Sequence, residues 1–332
     1  MNPNNTPDRS SVPCPCCQTD CAAHRIRRYR CEEAAAYFCP PTRDEGRHLR
    51  LREAISSLWP DGHASIHTCP GCGFGFAFPH VGGNEQFYQT LHEQAGYPAD
   101  RWDYEEARQC QAFLDTPGRV LDIGAGFGAF LAKLPAGWEP HAIESSPTMR
   151  THLEQREVTV HPSSASAKQQ GRFKVITLFQ VLEHLAPFRP ILQDAAAMLE
   201  PGGWLFITVP DGEMMTEQER RLGSPDMPPN HVNRWTPSSL AAVLKELGLM
   251  PAAPTVEPGR PGLVLKRLHL LIMQRAASSP RSLSAAVYRL QSRKVRAVIM
   301  GFLAIGFALK HLPNLGWMSR GGAFALAARK PA

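Results

Sequence analysis

The C-terminal part of the chain contains no acidic residue. Residues 258–332 have 13 Lys or Arg and no Asp or Glu, so all 30 acidic residues lie in the first 257 positions, beside 23 basic ones. Long hydrophobic runs are also missing: the longest, from Ala297 to Leu309, has 13 residues, fewer than the roughly 20 that a membrane-spanning helix needs. Residues 1–11 contain no apolar segment of a secretory signal. These absences argue against an exported protein and against an ordinary membrane-spanning one.

Without an export signal, the nine cysteines are expected to be reduced or bound to metal, and we expect a cytoplasmic protein. A length of 332 residues, 43% of them hydrophobic, suits a folded chain of about two domains. We predict a Cys-rich module at residues 1–83, a helical connector at 84–117, a core at 118–257, a basic helical insertion at 258–320, and a final strand of the core at 321–332.

Short apolar runs alternate with helical patterns through the core. Candidate strands lie at residues 119–123, 138–143, 158–160, 173–178, 204–209 and 249–256, and GGAFALAARK near the end of the chain supplies another. Candidate helices include residues 127–134, 190–199 and 237–247, and Asp103 is the expected N-cap of a helix before the core. Strands that alternate with helices predict an α/β fold with a doubly wound parallel sheet.

The most informative stretch is a glycine-rich turn. The apolar strand Arg119–Ile123 runs into Gly124, Gly126 and Gly128, and the next strand ends in Glu144. Glycine is needed where a turn visits backbone angles that a Cβ forbids and where a ligand approaches the main chain closely. Glu144 lies 20 residues after Gly124, a spacing that suits a carboxylate binding the ribose hydroxyls of a nucleotide.

This spacing leaves two nucleotide ligands open. Gly124-x-Gly126-x-x-Ala129 also fits a dinucleotide fingerprint, so a nicotinamide cofactor is an alternative. Asp122, at the end of the strand, would repel a diphosphate and suits a ligand that carries an ammonium or sulfonium group. A tight strand-to-helix turn that binds no ligand is the third interpretation.

Four stretches follow one another along the chain and together cover about residues 118–210. They are VLDIGAGFGAFL, HAIESSP, FKVITLFQVLEHL and LEPGGWLFITVP. They resemble the class I S-adenosylmethionine-dependent methyltransferases, particularly the ubiquinone/menaquinone methyltransferase-like branch. The resemblance implies a seven-stranded Rossmann-like sheet whose last strand is antiparallel. It also implies that S-adenosylmethionine is the cofactor, and we assign its binding to Asp122, Gly124, Gly126, Gly128, Glu144 and Gln180.

Methyl transfer needs an aligned acceptor atom, and a general base helps where that atom belongs to a hydroxyl. Our candidate catalytic residues are Glu183, His184 and His231. A structural role in the turn after the strand is an alternative for Glu183 and His184, whereas His231 lies in a loop expected at the edge of the sheet where ligands bind. Some quinone-branch relatives bind a divalent metal through two Glu and the His of this motif, but Gln180 replaces the first Glu and weakens such a site.

Two C-x₂-C pairs predict a structural zinc site with the ligands Cys14, Cys17, Cys69 and Cys72. The pairs are 51 residues apart, so we expect an insertion at residues 20–65 to loop out. The segment CPGCGFGFAFP is similar to the second knuckle of zinc ribbons fused in front of some bacterial methyltransferases. Free buried thiols are the alternative, and four further cysteines do not fit a single site: Cys16, Cys21, Cys31 and Cys39.

The basic region contains two apolar stretches, residues 263–273 and 297–309, with Lys and Arg around them. This pattern is typical of a segment that lies on an anionic membrane, here at the inner membrane face. It also fits a helical insertion that packs on the sheet and forms part of the acceptor pocket, which we favour slightly. Nucleic acid is a weaker candidate partner because no aromatic-basic recognition motif is present.

Three functions follow from these patterns. The first is a methyltransferase that acts on a small-molecule or lipid- or sugar-linked acceptor, with zinc as a scaffold. The second is a nicotinamide-dependent oxidoreductase built on the same sheet. The third is a non-catalytic binding module made of the zinc ribbon and the basic region.

Overall fold

The computed structural model describes residues 11–93, 101–114 and 116–332. Residues 1–10 of the predicted Cys-rich module, and residues 94–100 and 115 of the predicted connector, lie outside these ranges. The strands are β1 (Arg25–Arg30), β2 (His63–Thr68), β3 (Gly75–Phe78), β4 (Arg119–Ile123), β5 (Glu139–Ile143), β6 (Thr159–His161), β7 (Phe173–Phe179), β8 (Leu199–Pro210), β9 (Asn233–Arg234), β10 (Met250–Pro251), β11 (Thr255–Val256) and β12 (Ala323–Arg329).

Helices connect and cover these strands. They are α1 (Cys31–Phe38), α2 (Glu45–Leu58), α3 (Glu85–His92), α4 (Trp102–Gln109), α5 (Gln111–Leu114), α6 (Pro147–Glu154), α7 (Ser164–Lys168), α8 (Phe188–Met198), α9 (Gly212–Leu222), α10 (Pro237–Glu246), α11 (Pro261–Ser278), α12 (Leu283–Tyr288), α13 (Arg293–Lys310) and α14 (Leu315–Met318). Short 3₁₀ turns lie at Ala22–His24, Leu131–Lys133 and Leu312–Asn314.

The larger sheet has the order β10-β12-β8-β7-β4-β5-β6, and β11 pairs with β12 as well. Strands β4 to β8 pair in parallel, whereas β12 lies antiparallel to β8. Neighbouring residues of one strand enter different cores, since Ile176 packs in one apolar cluster and Val175 in another. A sheet buried on both faces is what a doubly wound parallel fold requires. The predicted Rossmann-like sheet with an antiparallel last strand is confirmed; it has eight strands rather than seven, because the two short strands β10 and β11 lie where one was expected.

Local signals explain several helix boundaries around this sheet. Thr236 and Ser239 form a reciprocal capping box at the start of α10, whose first residue is Pro237. Asp211 accepts hydrogen bonds from the first backbone N–H groups of α9. That helix ends at Gly223, which adopts a left-handed conformation with φ of 64°. The same kinds of residue that mark helix ends in a sequence therefore act as caps here.

Three predictions about local structure were wrong. The predicted helix at 127–134 is only the 3₁₀ turn Leu131–Lys133, because Gly128 has a left-handed φ of 71° and Pro135 follows shortly after. Asp103 is not an N-cap, because it lies inside α4 and its side chain is buried. The single strand predicted at 249–256 is divided into β10 and β11.

The predicted loop at residues 20–65 was also wrong, because this segment folds into β1, α1 and α2 and enters β2. Its buried side chains, including Tyr29, Leu51 and Trp59, form a core of their own. The smaller sheet has the antiparallel order β1-β2-β3-β9, so its last strand comes from the core of the chain. A long insertion is ordered here because it buries enough apolar surface to offset its conformational entropy.

Three aromatic rings join the Cys-rich module to the core. Phe74, two residues after Cys72, lies with its ring centroid 4.6 Å from that of Trp235 and 5.7 Å from that of Phe188. Phe188 and Trp235 are themselves 4.7 Å apart, on α8 and just before α10. These rings share one hydrophobic cluster with Cys14 and Cys69, so the cysteine knuckles pack as part of the core.

Helices α11 to α14 lie between β11 and β12. In α11 the buried Arg267 donates hydrogen bonds to the carbonyl oxygens of Met318 and Arg320, at 2.5 and 2.7 Å, and lies over the Trp317 ring. Among the described residues no single helix is long and apolar enough to cross a membrane. The helix pair Lys294–Lys310 and Leu312–Met318 reaches the necessary length and composition together, but it is bent by 85°.

Candidate functional site

The glycine-rich turn after β4 has the conformation that its sequence predicts. Gly124, Gly126 and Gly128 all adopt positive φ, at 78°, 56° and 71°. A Cβ at Gly124 would lie 2.7 Å from the Val181 side chain, and a Cβ at Gly128 would lie 2.6 Å from Leu153. A residue with a side chain is therefore excluded at Gly124 and Gly128 for two reasons: its backbone would be strained at positive φ, and its Cβ would clash with a neighbouring side chain. Gly124 is exposed and Gly126 is half-buried, so this part of the turn leaves main chain accessible, whereas Gly128 is buried.

Glu144 follows β5 and reaches this turn. Its carboxylate accepts hydrogen bonds from the backbone N–H of Gly126, at 2.9 Å, and from that of Ser146, at 2.8 Å. The side chain is buried. The carboxylate predicted to bind a ribose thus lies beside the glycine turn, one strand away along the sheet.

Asp122 lies near the end of β4 and is buried. Its Oδ1 accepts a hydrogen bond of 2.8 Å from the Thr177 hydroxyl, on the neighbouring strand β7. Burial raises the pKa of Asp122 to about 7, although the Thr177 hydrogen bond acts in the opposite direction. Its predicted position near the methionine part of the cofactor stays a prediction.

Gln180 follows β7 and belongs to a chain of polar contacts between the sheet and α4. It has a positive φ of 56°, and its backbone N–H donates to the Thr208 carbonyl. The Thr208 hydroxyl donates to Asp103 at 2.7 Å, and the Arg101 guanidinium donates to the same carboxylate at 2.5 and 3.0 Å. The buried Asp103 carboxylate thus connects Thr208 of the sheet to Arg101.

The three predicted catalytic residues come together. Nitrogen or oxygen atoms of Glu183, His184 and His231 all lie within 4.8 Å of one another. The Glu183 side chain is 1% exposed, and among the described residues neither of its carboxylate oxygens has a hydrogen-bond partner. Burial raises the pKa of Glu183 to about 7. An unpartnered buried carboxylate of this kind costs stability unless a ligand or a proton satisfies it.

The two histidines have opposite environments. Burial lowers the pKa of His184 to about 3, so this ring is neutral, and its Nδ1 lies 2.7 Å from the Asn230 carbonyl oxygen as a donor. His231 Nδ1 lies 2.7 Å from Asp226 Oδ1. Burial opposes protonation of His231, but the Asp226 carboxylate outweighs it and the pKa of His231 is raised. The partnership has the reverse effect on Asp226, whose pKa is lowered by His231 despite burial.

A cavity of about 760 Å³ opens at this cluster. Glu183, His184 and His231 line it together with residues of α9, α11 and the ends of the central strands. Its apolar lining includes Met214, Met215, Leu263, Leu270 and Met273, and its basic lining includes Arg101, Arg260, Lys266 and Arg267. The basic insertion thus forms one wall of the cavity, as the packing interpretation of that region expects.

The four cysteines of the predicted zinc site also come together. Their sulfur atoms all lie within 4.8 Å of one another, with 3.7 Å between Cys14 and Cys72 and 3.4 Å between Cys17 and Cys69. Tetrahedral zinc with bonds of about 2.3 Å needs sulfur atoms at such separations. The residues therefore fit a closed structural zinc site. Of the other cysteines, Cys16 and Cys21 pack in the surrounding core, and Cys31 and Cys39 pack in the core of α1 and α2.

Three residues of the site were missed by sequence analysis: Arg101, Asp103 and Asp226. Asp103 was assigned to a helix cap from its position before Tyr104. Asp226 stands five residues before His231 in the segment PDMPPNH. A carboxylate so close to a candidate base was a readable signal, but its contact depends on the course of the loop.

Comparisons with known proteins agree with this geometry. Residues 91–252 match the family described as methyltransferase domain. The ubiquinone biosynthesis O-methyltransferase of Xanthomonas campestris is 33% identical over 155 residues, which cover 38% of this chain and 62% of that protein. The protein of the same name from Xanthomonas oryzae is 34% identical over 121 residues, covering 32% and 48%. The chain therefore spans less than two thirds of the length of these relatives.

A solved structure is also similar. A SAM-dependent methyltransferase from Archaeoglobus fulgidus aligns with 74% of this chain and all of its own, at 18% identity and a TM-score of 0.46.

Proposed function

We propose that residues 91–252, which match the family described as methyltransferase domain, belong to a class I S-adenosylmethionine-dependent methyltransferase domain, and that the protein transfers a methyl group to an acceptor bound in the cavity of about 760 Å³. The observation that carries the proposal is the position of the Asp226–His231 pair beside the unpartnered carboxylate of Glu183. These groups line a cavity at the carboxyl ends of the parallel strands, where ligands of this architecture bind.

The cofactor would be held by residues that already face one another. The accessible main chain at Gly124 and Gly126 suits a ligand that lies directly on the backbone, Gly128 gives the turn its shape, and Glu144 offers a carboxylate for ribose hydroxyls. When bound, S-adenosylmethionine supplies an electrophilic methyl group. The protein then has to align the acceptor atom and remove its proton.

His231 is the proposed proton acceptor. Asp226 lies at Nδ1, which leaves Nε2 as the ring nitrogen that takes a proton from an acceptor hydroxyl. The same carboxylate stabilises the imidazolium that forms, as its effect on the pKa of His231 indicates. Glu183 would accept a hydrogen bond from the acceptor, which satisfies its buried oxygens. His184 acts as a positioning residue through its hydrogen bond to the Asn230 carbonyl.

The acceptor has both apolar and anionic parts in this proposal. Methionine and leucine side chains line much of the cavity, and Lys266 adds positive charge, whereas Arg101 is paired with Asp103 and Arg260 with Glu257. A lipid- or sugar-linked acceptor with a phosphate or carboxylate would match both kinds of lining. Zinc is proposed as a scaffold, bound by Cys14, Cys17, Cys69 and Cys72. A closed set of four thiolates leaves no position for a substrate or water.

Calorimetry with the full chain tests the cofactor assignment. Titration with S-adenosylhomocysteine, the demethylated product, should release or absorb heat with one binding site per chain, and titration with NAD should not. Heat with NAD alone would identify the dinucleotide alternative, and heat with neither would overturn the enzyme assignment.

A further inference from the structure

Helix α13 has an exposed apolar face. Six side chains at alternating spacings of three and four residues are between 48% and 71% exposed: Val295, Val298, Phe302, Ile305, Leu309 and Leu312. Because an α-helix has 3.6 residues per turn, the first five of these lie on one side of the helix. We call these six residues the apolar stripe. None of the described side chains of this 18-residue helix is fully buried.

The opposite side of α13 packs on the protein. Phe307 and Ala308 contact the cluster that contains Leu268, Leu271 and Trp317. Phe307 also lines a cavity of about 590 Å³ between α1, α9, α11 and α13. The helix is therefore attached to the fold by one face while the apolar stripe points away from it. An exposed apolar surface of this extent is characteristic of an interaction site.

The charged side chains of the insertion itself, residues 258–320, are all positive. Lys294 and Lys310 are exposed at the two ends of the helix, and Arg281 and Arg289 are exposed just before and just after α12. No acidic residue occurs anywhere from residue 258 to 332. A second copy of this chain would bring two such positive surfaces together, and the like charges would repel. An anionic surface with an apolar interior would complement both features.

We propose that the apolar stripe docks this protein on the surface of an anionic membrane. Helix α13 lies in the plane of the interface, with Phe302 and Ile305 among the acyl chains and the lysines at its ends beside lipid phosphates. This inference goes beyond methyl transfer and does not depend on it. In this proposal the outer face of the insertion contacts the membrane. Its inner face packs on the rest of the protein and lines the cavity.

Vesicle flotation with the full chain tests the proposal. One set of vesicles contains phosphatidylcholine alone, and the other also contains phosphatidylglycerol. The protein should float with the anionic vesicles at low ionic strength, and higher salt should reduce the bound fraction because it screens the attraction. The double variant Phe302→Ser/Ile305→Ser should bind at least about tenfold more weakly, since two exposed anchors are lost.

Two controls separate docking from misfolding and from self-association. Leu49→Ser changes a side chain of α2 that is 46% exposed, in the N-terminal module, and should float like the parent. The thermal midpoints of all variants should agree, because every substituted side chain is already exposed. The proposal is overturned if the parent does not float with anionic vesicles, or if the double variant floats equally well. It is also overturned if the parent is a dimer in solution that the double variant converts to a monomer without any flotation.

Discussion

His231 Nδ1 lies 2.7 Å from Asp226 Oδ1, and this contact shifts the pKa values of the two side chains in opposite directions. The carboxylate raises the pKa of His231, and the imidazolium lowers the pKa of Asp226, although burial opposes both effects. A histidine held in this way has one ring nitrogen occupied and the other available. The pair accordingly has the composition of a general base and its orienting group.

Replacing Asp226 by Asn should lower the pKa of His231. The amide keeps the size of the side chain but cannot stabilise an imidazolium by charge, so His231 loses the interaction that raises its pKa. Titration of the imidazole C–H signals by NMR measures this directly and needs no acceptor. With an acceptor in hand, the variant should lose about 10²- to 10⁴-fold in kcat, the usual contribution of general base catalysis.

The control for this experiment is Glu213→Gln, which removes an exposed carboxylate from the first turn of α9. It should leave the His231 titration unchanged. An unchanged His231 titration in Asp226→Asn as well would show that the pair does not act as described.

Glu183→Gln should remove one contribution to the pH dependence of stability, while that of Asp122 remains. The pKa of the Glu183 carboxyl is raised from 4.5 to about 7 in the folded protein, so the folded state binds this proton more tightly than the unfolded state. Stability is therefore lost as pH rises from 4.5 to about 7, by up to about 3 kcal/mol at 1.36 kcal/mol per pH unit. As pH rises from 4.5 to about 7, the free energy of unfolding of the variant should increase relative to that of the parent by this amount, as measured by urea unfolding.

The matched control is Glu213→Gln. It removes an exposed carboxylate, so its stability should depend on pH in the same way as that of the parent. Parallel profiles for Glu183→Gln and the parent would contradict the assignment of a raised pKa to Glu183.

Glu144→Ala should weaken binding of S-adenosylhomocysteine by about 10- to 100-fold, because hydrogen bonds to a charged group contribute roughly 1.5–3 kcal/mol. The variant lacks the carboxylate beside the glycine turn, where the ribose hydroxyls of the ligand are expected to bind. Calorimetry provides the measurement. Glu154→Ala is the control, since this residue is an exposed glutamate of α6. Equal affinity in the two variants would remove Glu144 from the cofactor site.

The purified protein should contain one zinc per chain. Cys69→Ser should lose the metal, because the tetrahedral site keeps only three thiolates, whereas Cys39→Ala in the same module should keep it. Elemental analysis measures the content. Chelation should also lower the melting temperature of the whole chain, since Cys14, Cys69 and Phe74 share one core cluster with residues of the larger sheet. Stoichiometric zinc in Cys69→Ser would contradict this ligand set.

The amino-acid sequence by itself determined the class of fold and the local parts of the site. The glycine turn, the acidic residue after the next strand and the two cysteine pairs are short patterns, and each is readable because backbone angles or ligand spacing restrict which residues can occupy them. Strand positions in the buried sheet were also readable, because a strand covered on both faces must be apolar throughout. The antiparallel direction of the last strand followed from the family resemblance, whereas the order of the strands came from the structure.

Only the tertiary structure decided which distant groups meet. Asp226 faces His231, and Asp103 joins Arg101 to Thr208, because loops and helices from different parts of the chain converge at one edge of the sheet. The insertion at residues 20–65 became a folded layer because it could bury its own apolar side chains and pair with β9. Such contacts depend on the summed packing of many residues far apart in sequence, and no local pattern encodes them. The contact between Asp226 and His231 therefore became visible only in the folded chain.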